Sequence, residues 1–277
     1  MHRILFNLGP FTIYSYGALL ALAFIVGTYL AERRARKQGF PKDTIVDLSL
    51  WMLISSIAGA RFLFVGINWE YYIRNIGEIF KIWEGGLVYY GGLVFGFWVT
   101  VYYLKKKKLP LWRIADILAP SLALAEAIGR VGCFFNGCCY GRIVEQGGFC
   151  FPAVGAPPVF TQQLRDGLLP PGALHSLPVI PTQLYSAGAS LVIFFILLRA
   201  ARYRTFDGFL FWLFIILYSL ARFIIEGFRY YESNFLLFGG VTVSQWISVF
   251  LAVVAVFFLF RGFQKRKAGI KDSAILK

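Results

Sequence analysis

Seven apolar runs of about 20 residues divide this chain, and they constrain its fold more than any other feature. They lie near 11–31, 47–67, 86–104, 114–135, 181–199, 208–227 and 242–261. A helix needs about 20 apolar residues to cross a hydrocarbon layer about 30 Å thick. Within that layer the backbone must satisfy its own hydrogen bonds, which selects helices over open strands. Composition agrees, because 58% of the 277 residues are hydrophobic and only 15% are charged, against about 45–50% and about 25% in a soluble domain. The expectation is an all-α integral membrane protein of about seven transmembrane helices, a single polytopic domain over 1–277. The fourth run is the least uniform, since it carries Pro120, Glu126 and Arg130. The first run reads as a retained span, because residues 1–10 carry little positive charge and no small-residue cleavage site follows.

A net charge of +14 would suit nucleic acid if the basic residues shared one soluble face. Instead they sit in clumps between the apolar runs, so no nucleic-acid partner is expected. Nineteen of the 28 lie in alternate connections and the tail: Arg33 to Lys42, Lys105 to Arg113, Arg199 to Arg204, and Arg261 onward. The positive-inside bias puts that side in the cytoplasm, the N-terminus outside and the C-terminus inside, which an odd number of crossings satisfies. A basic cytoplasmic tail at about 262–277 and an outer loop at about 136–180 follow. The loop is rich in Gly and Pro and reads as an irregular lid or loop, not a second domain. The chain has no internal repeat and no paired Gly/Pro-interrupted spans, which argues against a transporter.

Charges inside the runs are informative, because an Arg at the centre of a spanning helix costs about 2.5–3.5 kcal/mol on insertion scales. Glu126 and Arg130 are four apart on one run, as are Arg222 and Glu226 on another, so each pair shares a helix face. Tyr218 and Arg229 extend the second stripe. One reading makes these structural ion pairs that lock helices together. The other makes them a cationic pocket in the outer leaflet for an anionic lipid headgroup. Arg61 stands alone in the second run and is open to either.

Segment 129–142 reads Gly-Arg-Val-Gly-Cys-Phe-Phe-Asn-Gly-Cys-Cys-Tyr-Gly-Arg. Glycines let backbone N–H groups approach a ligand closely, so this composition suits an anion-holding turn as well as tight packing. Gly91 and Gly92, after Tyr89 and Tyr90, belong to the same surface or simply let helices approach. Cys133, Cys138 and Cys139 follow a C-x4-CC spacing that is not a common zinc pattern, and the only histidines are His2 and His175. No metal is therefore expected. A disulfide among Cys138, Cys139 and Cys150 is the preferred reading on an oxidising outer face.

These residues resemble the bacterial prolipoprotein diacylglyceryl transferase family over most of the chain. Segment 129–142 is similar to that family's signature G-R-x-G-N-F-x-N-G-E-x-x-G-R, matching at Gly129, Arg130, Gly132, Phe134, Asn136, Gly137, Gly141 and Arg142. Tyr90-Gly-Gly-Leu93 resembles its H-G-G-L motif, and Tyr16-Gly17 its first-span Y-G. Gly59-Ala-Arg61, Pro181-Thr-Gln-Leu-Tyr185 and the stripe Tyr218, Arg222, Glu226, Arg229 also match in order. Cys133 stands where the family usually has Asn, Cys138 where it has Glu, and Tyr90 where it often has His. A side branch carries a G-C-F-x-x-G-C-C-Y-G version, which this chain resembles.

The resemblance implies transfer of the sn-1,2-diacylglyceryl group of phosphatidylglycerol to the lipobox cysteine of a prolipoprotein signal peptide. The reaction forms a thioether and releases glycerol 1-phosphate, with no cofactor. It implies a multi-pass protein of the bacterial cytoplasmic (inner) membrane whose active site faces the outer leaflet. The implied catalytic residues are Arg130, Arg222, Glu226 and Tyr90. Phosphatidylglycerol would be bound by Arg130, Asn136, Gly137, Gly141, Arg142, Tyr16, Tyr218, Arg229, Gly91 and Gly92. Arg suits the phosphate, since it holds two oxygens at once. Glu226 either orients Arg222 or takes the thiol proton, and without the family's histidine orientation is the expectation. A phenol with pKa near 10 makes Tyr90 a poor base. The alternatives are a related transferase with another acceptor and, less favoured, a lipid transporter.

Overall fold

A computed structural model describes residues 3–8, 11–230 and 241–275 of the chain. Its elements in order are β1 (Ile4–Leu8), β2 (Phe11–Tyr14), α1 (Ser15–Lys37), α2 (Thr44–Ile67), α3 (Trp69–Tyr72), α4 (Tyr89–Lys106), α5 (Leu111–Asn136), α6 (Pro158–Arg165), α7 (Thr182–Ala200), α8 (Phe209–Glu226) and α9 (Val243–Ile275). Six helices are long and apolar enough to cross a membrane, namely α1, α2, α5, α7, α8 and α9. The third expected span becomes α4, which has 18 residues and falls short of the six in apolarity. Its tyrosines, three glycines and two terminal lysines dilute the apolar residues. The first expected span is corrected at its start. Phe11–Tyr14 is a strand that pairs antiparallel with β1, in keeping with the β preference of Phe, Thr, Ile and Tyr. Lys277 and His2 lie outside the described residues.

The chain resolves into two compact units, 28–114 and a second built from 1–27 with 115–277. In the 28–114 unit, α2 and α4 pack backbone to backbone. A Cβ added to Gly91 would come within 2.3 Å of the Gly59 carbonyl oxygen, and one on Gly59 within 2.6 Å of that of Gly91. The start of α2 is capped from a distance: the buried Glu32 carboxylate accepts the backbone N–H groups of Asp43 (2.8 Å) and Ile45 (3.1 Å) and pairs with Arg36. Such acceptors satisfy donors that a helix start leaves open.

Arg61 resolves in favour of structure. Its guanidinium donates to the carbonyls of Glu78, Ile79, Gly85 and Gly86 at 2.6–3.1 Å and lies over the rings of Phe64 and Tyr72. It pins the connection from α3 to α4.

In the larger unit α5 runs through Pro120 without interruption. At its N-terminal end, buried Asp116 accepts the N–H groups of Gly208 (2.9 Å) and Phe211 (3.0 Å) and pairs with Arg204 at 3.3 Å, which caps α8. Helices α8 and α9 meet through the stacked rings of Trp212 and Phe258, 4.6 Å apart. The segment between α5 and α7, expected to be irregular, has a small core of its own. Phe151, Val159 and Val179 are buried there, with Phe134, Tyr140 and Ile143 packed around them. Isolated bridges join Ile143 and Phe149 to Val179, and Gly141 to Arg229. Single bridges have no periodicity, so no sequence pattern announces them.

Candidate active site

The two charged stripes converge on one cavity in the larger unit. It is lined by Glu126 and Arg130 of α5, Ser186, Ala189 and Ser190 of α7, and Tyr218, Ala221, Arg222 and Ile225 of α8. Arg130 Nε donates to Glu126 Oε1 at 2.7 Å, and the Tyr218 hydroxyl reaches the same oxygen at 3.5 Å. Arg222 Nη2 lies 3.0 Å from Glu226 Oε2, and Arg229 Nη1 lies 3.5 Å from that atom. Arg222 Nε also donates to Ser244 Oγ of α9 at 3.0 Å. Helical spacing sets both pairs, since residues four apart are neighbours on a helix surface.

Glu226 is 2% exposed, whereas the side chains of Arg130, Arg222 and Arg229 keep 18–20% exposure. Both arginines that contact Glu226 therefore reach the surface while their shared counter-ion is buried. Counted together, three arginines and two glutamates carry one net positive charge. Next to the cavity an apolar groove opens between α7 and α8, lined by Tyr185, Val192, Ile196, Leu220, Ile224 and Phe228 among others. Ala189, Ala221 and Ile225 line both, so a charged compartment adjoins an apolar one.

The signature turn closes the end of α5. Gly137 has φ 72°, and a Cβ there would come within 2.7 Å of Pro157. Gly141 faces the Phe228 carbonyl oxygen at 2.6 Å from such an atom. Both positions thus accept only glycine, for backbone conformation and close approach respectively. Asn136 accepts from Arg3 Nε at 3.2 Å. Arg142 joins this framework through its backbone, its N–H to Phe228 and its carbonyl to Ile180, while its side chain is exposed. Tyr16 packs at Gly132 and lies within electrostatic reach of Arg130. Tyr90, Gly91 and Gly92 belong to the 28–114 unit, where Tyr90 is exposed and Gly91 and Gly92 form the close α2–α4 contact.

The expected disulfide is corrected: all four cysteines are free thiols, and Cys150 is exposed. Instead Cys133, Cys138 and Cys139 bring their sulfurs within 4.8 Å of one another. The left-handed backbone at Gly137 and Cys139 (φ 59°) turns the second and third cysteines back toward the first. Hydrogen bonds from Cys133 and Cys138, with the charges of Arg229 and Arg130, hold the Cys139 thiol below its ordinary value.

Three further residues hold the site, and only two of them carry a local signal in the sequence. Arg3 is an ordinary basic residue until the fold brings it to Asn136. Thr182 Oγ1 donates to the Cys139 carbonyl at 2.8 Å and Gln183 Nε2 to that of Cys138 at 2.7 Å. Only their place in a Pro-Thr-Gln motif drew notice to these two.

A sequence model described as prolipoprotein diacylglyceryl transferase matches residues 3–261. A phosphatidylglycerol–prolipoprotein diacylglyceryl transferase of Geobacillus kaustophilus is 35% identical over 92% of this chain and 90% of its own length. Proteins of the same description from Bacillus cytotoxicus and Bacillus cereus are 34% and 33% identical over 100% of this chain and 97% of theirs. With a match that spans almost every described element and includes the whole charged cavity, the chain belongs to the prolipoprotein diacylglyceryl transferase family.

Proposed function

We propose that this protein transfers the diacylglyceryl group of phosphatidylglycerol to the lipobox cysteine thiol of a prolipoprotein, at the outer leaflet of the bacterial inner membrane. One observation carries the reading: a cavity with one net positive charge adjoins an apolar groove between α7 and α8. Phosphatidylglycerol is a monoanion with two acyl chains, so its charge matches the arginine cluster and its tails the groove; the space between the arginines is only water-sized, so admitting the headgroup requires their side chains to part. Arg130 and Arg222 are the phosphate ligands. Arg229 adds charge, and Glu226 acts as a positioning residue, because its buried carboxylate already serves both Arg222 and Arg229.

In the reaction the cysteine sulfur bonds to the diacylglyceryl carbon as that carbon's bond to the phosphate oxygen breaks. Glycerol 1-phosphate leaves with the electron pair, and the thiol proton passes to solvent or to the leaving phosphate. Negative charge grows on the phosphate as the bond breaks, and pre-set guanidinium donors stabilise it there. Asn136 and the N–H groups of the Gly137–Gly141 turn are further headgroup contacts, with Tyr16 and Tyr218 beside them. Arg142, Tyr90, Gly91 and Gly92 are carried as headgroup residues by the resemblance alone. The charge asymmetry of the connections supports an outside N-terminus and seven crossings with α4 as the third.

The test incubates purified protein in phosphatidylglycerol micelles with a lipobox peptide. A diacylglyceryl mass shift on the peptide, with equimolar glycerol phosphate, is expected. The replacement of two signature residues by Cys133 and Cys138 favours a second reading, in which the lipid donor is kept and the acceptor differs. Glycerol phosphate release without peptide modification supports that reading and overturns the first.

A further inference from the structure

The transfer chemistry leaves one built feature unused, the three thiols at the end of α5. Cys133 lies in the last turn of the helix, and Cys138 and Cys139 follow the reversal at Gly137. Their sulfurs lie within 4.8 Å of one another and are partly buried. A zinc ion with Zn–S bonds of about 2.3 Å holds its thiolates roughly 3.7–4 Å apart. The three sulfurs need therefore close by no more than about 1 Å to share one ion.

The turn that carries them is held from outside. The Cys138 N–H bonds to the Cys133 carbonyl at 3.2 Å. Gln183 and Thr182 fix the next two carbonyls, those of Cys138 and Cys139. Gln183 is 0% exposed, and its Oε1 has no hydrogen-bond partner among the described residues. Cys139 keeps a left-handed backbone without being glycine, a conformation that costs of order 1–3 kcal/mol and persists only where the surroundings enforce it. Three thiolates and one divalent ion leave one negative charge, and Arg130 and Arg229 lie within electrostatic reach to balance it. A disulfide would use two of these sulfurs and leave the third without a role, whereas three converging donors are a ligand set. Among the described residues no histidine or carboxylate joins the group, so a fourth coordination position stays open.

We propose that Cys133, Cys138 and Cys139 bind one zinc(II) ion as a three-thiolate site whose fourth position is open to water or an exogenous thiolate. Binding releases the thiol protons to solvent and changes no oxidation state. This site stands independently of the transferase reading.

The test uses full-length protein in detergent under reducing conditions, titrated with zinc(II) and, as a spectroscopic stand-in, cobalt(II). Expected are one ion per chain and intense sulfur-to-cobalt charge-transfer absorption, displaced by zinc. Cys133→Ser, Cys138→Ser and Cys139→Ser should each weaken binding more than about 100-fold, beyond the 10–100-fold that losing an outer partner costs, while Cys150→Ser should not. Absence of stoichiometric binding by the reduced wild-type protein overturns the proposal without reference to any variant. So does binding that survives replacement of all three cysteines, a disulfide among them in freshly purified protein, or a site that takes copper(I) and excludes zinc(II).

Discussion

Glu226 shows what one residue does here. It is a buried carboxylate shared by two arginines that reach the surface, so it sets where their charges point. Losing one partner of a buried ion pair costs about 3–5 kcal/mol. Glu226→Gln is therefore expected to lower thermal stability in detergent and to reduce kcat while the pH profile of kcat keeps its shape. A profile that loses its acid limb would make Glu226 the base. Arg130→Ala should abolish transfer, read as peptide mass shift, while far-ultraviolet circular dichroism stays helical; full activity would remove Arg130 from the site. Arg130, Arg222 and Glu226 were legible in the sequence because a charge in an apolar run has few structural uses. Arg3 was not, since its partner Asn136 is 133 residues away and only folding makes them neighbours. The cysteines were visible but misread: an oxidising outer face suggested a disulfide among Cys138, Cys139 and Cys150, and the turn through Gly137 and Cys139 brought the sulfurs of Cys133, Cys138 and Cys139 together instead.

At the level of elements, two devices that hold helices in place make separate predictions. One is glycine contact. The α2–α4 pair depends on Gly59 and Gly91, where any side chain meets backbone at 2.3–2.6 Å. Gly91→Leu should overpack this contact, lowering stability by about 1–3 kcal/mol and giving a lower melting temperature in detergent; an unchanged value would show that the helices separate without loss. The other is capping of a helix start by a buried carboxylate from elsewhere, Glu32 for α2 and Asp116 for α8. Asp116→Ala leaves two N–H groups and Arg204 without this acceptor, with an expected loss of about 1–3 kcal/mol. Hydrogen exchange should quicken first at 208–211. Helix positions were legible because apolar length is a one-dimensional property. The caps were not, because Glu32 meets the N–H of Asp43 11 residues away and Asp116 that of Gly208 92 residues away, and only folding makes them neighbours. The strand Phe11–Tyr14 was hidden inside an apolar run, where hydropathy alone cannot separate strand from helix.

For the whole molecule, the proposed lipid site makes stability depend on the lipid supplied. A ligand that binds only the folded state at about 100 times its Kd adds about 2.7 kcal/mol. Phosphatidylglycerol should therefore raise the melting temperature well above that in phosphatidylcholine, and Arg130→Ala with Arg222→Ala should erase the difference. Equal melting temperatures in the two lipids would count against the headgroup site. Orientation is tested separately: alkaline phosphatase fused after Lys108 should be inactive, and fused after Gly172 active. The sequence by itself determined the membrane class and the positions of the long apolar helices, because hydropathy acts on each segment independently of its neighbours. It also singled out the charges, because their burial in lipid is unfavourable wherever the helix goes. Tertiary structure alone decided that two stripes on α5 and α8 share one cavity, that an apolar groove adjoins it, that Arg61 is a structural pin, and that three thiols converge. Each of those depends on distances between segments far apart in the chain, and packing sets such distances where no local pattern records them.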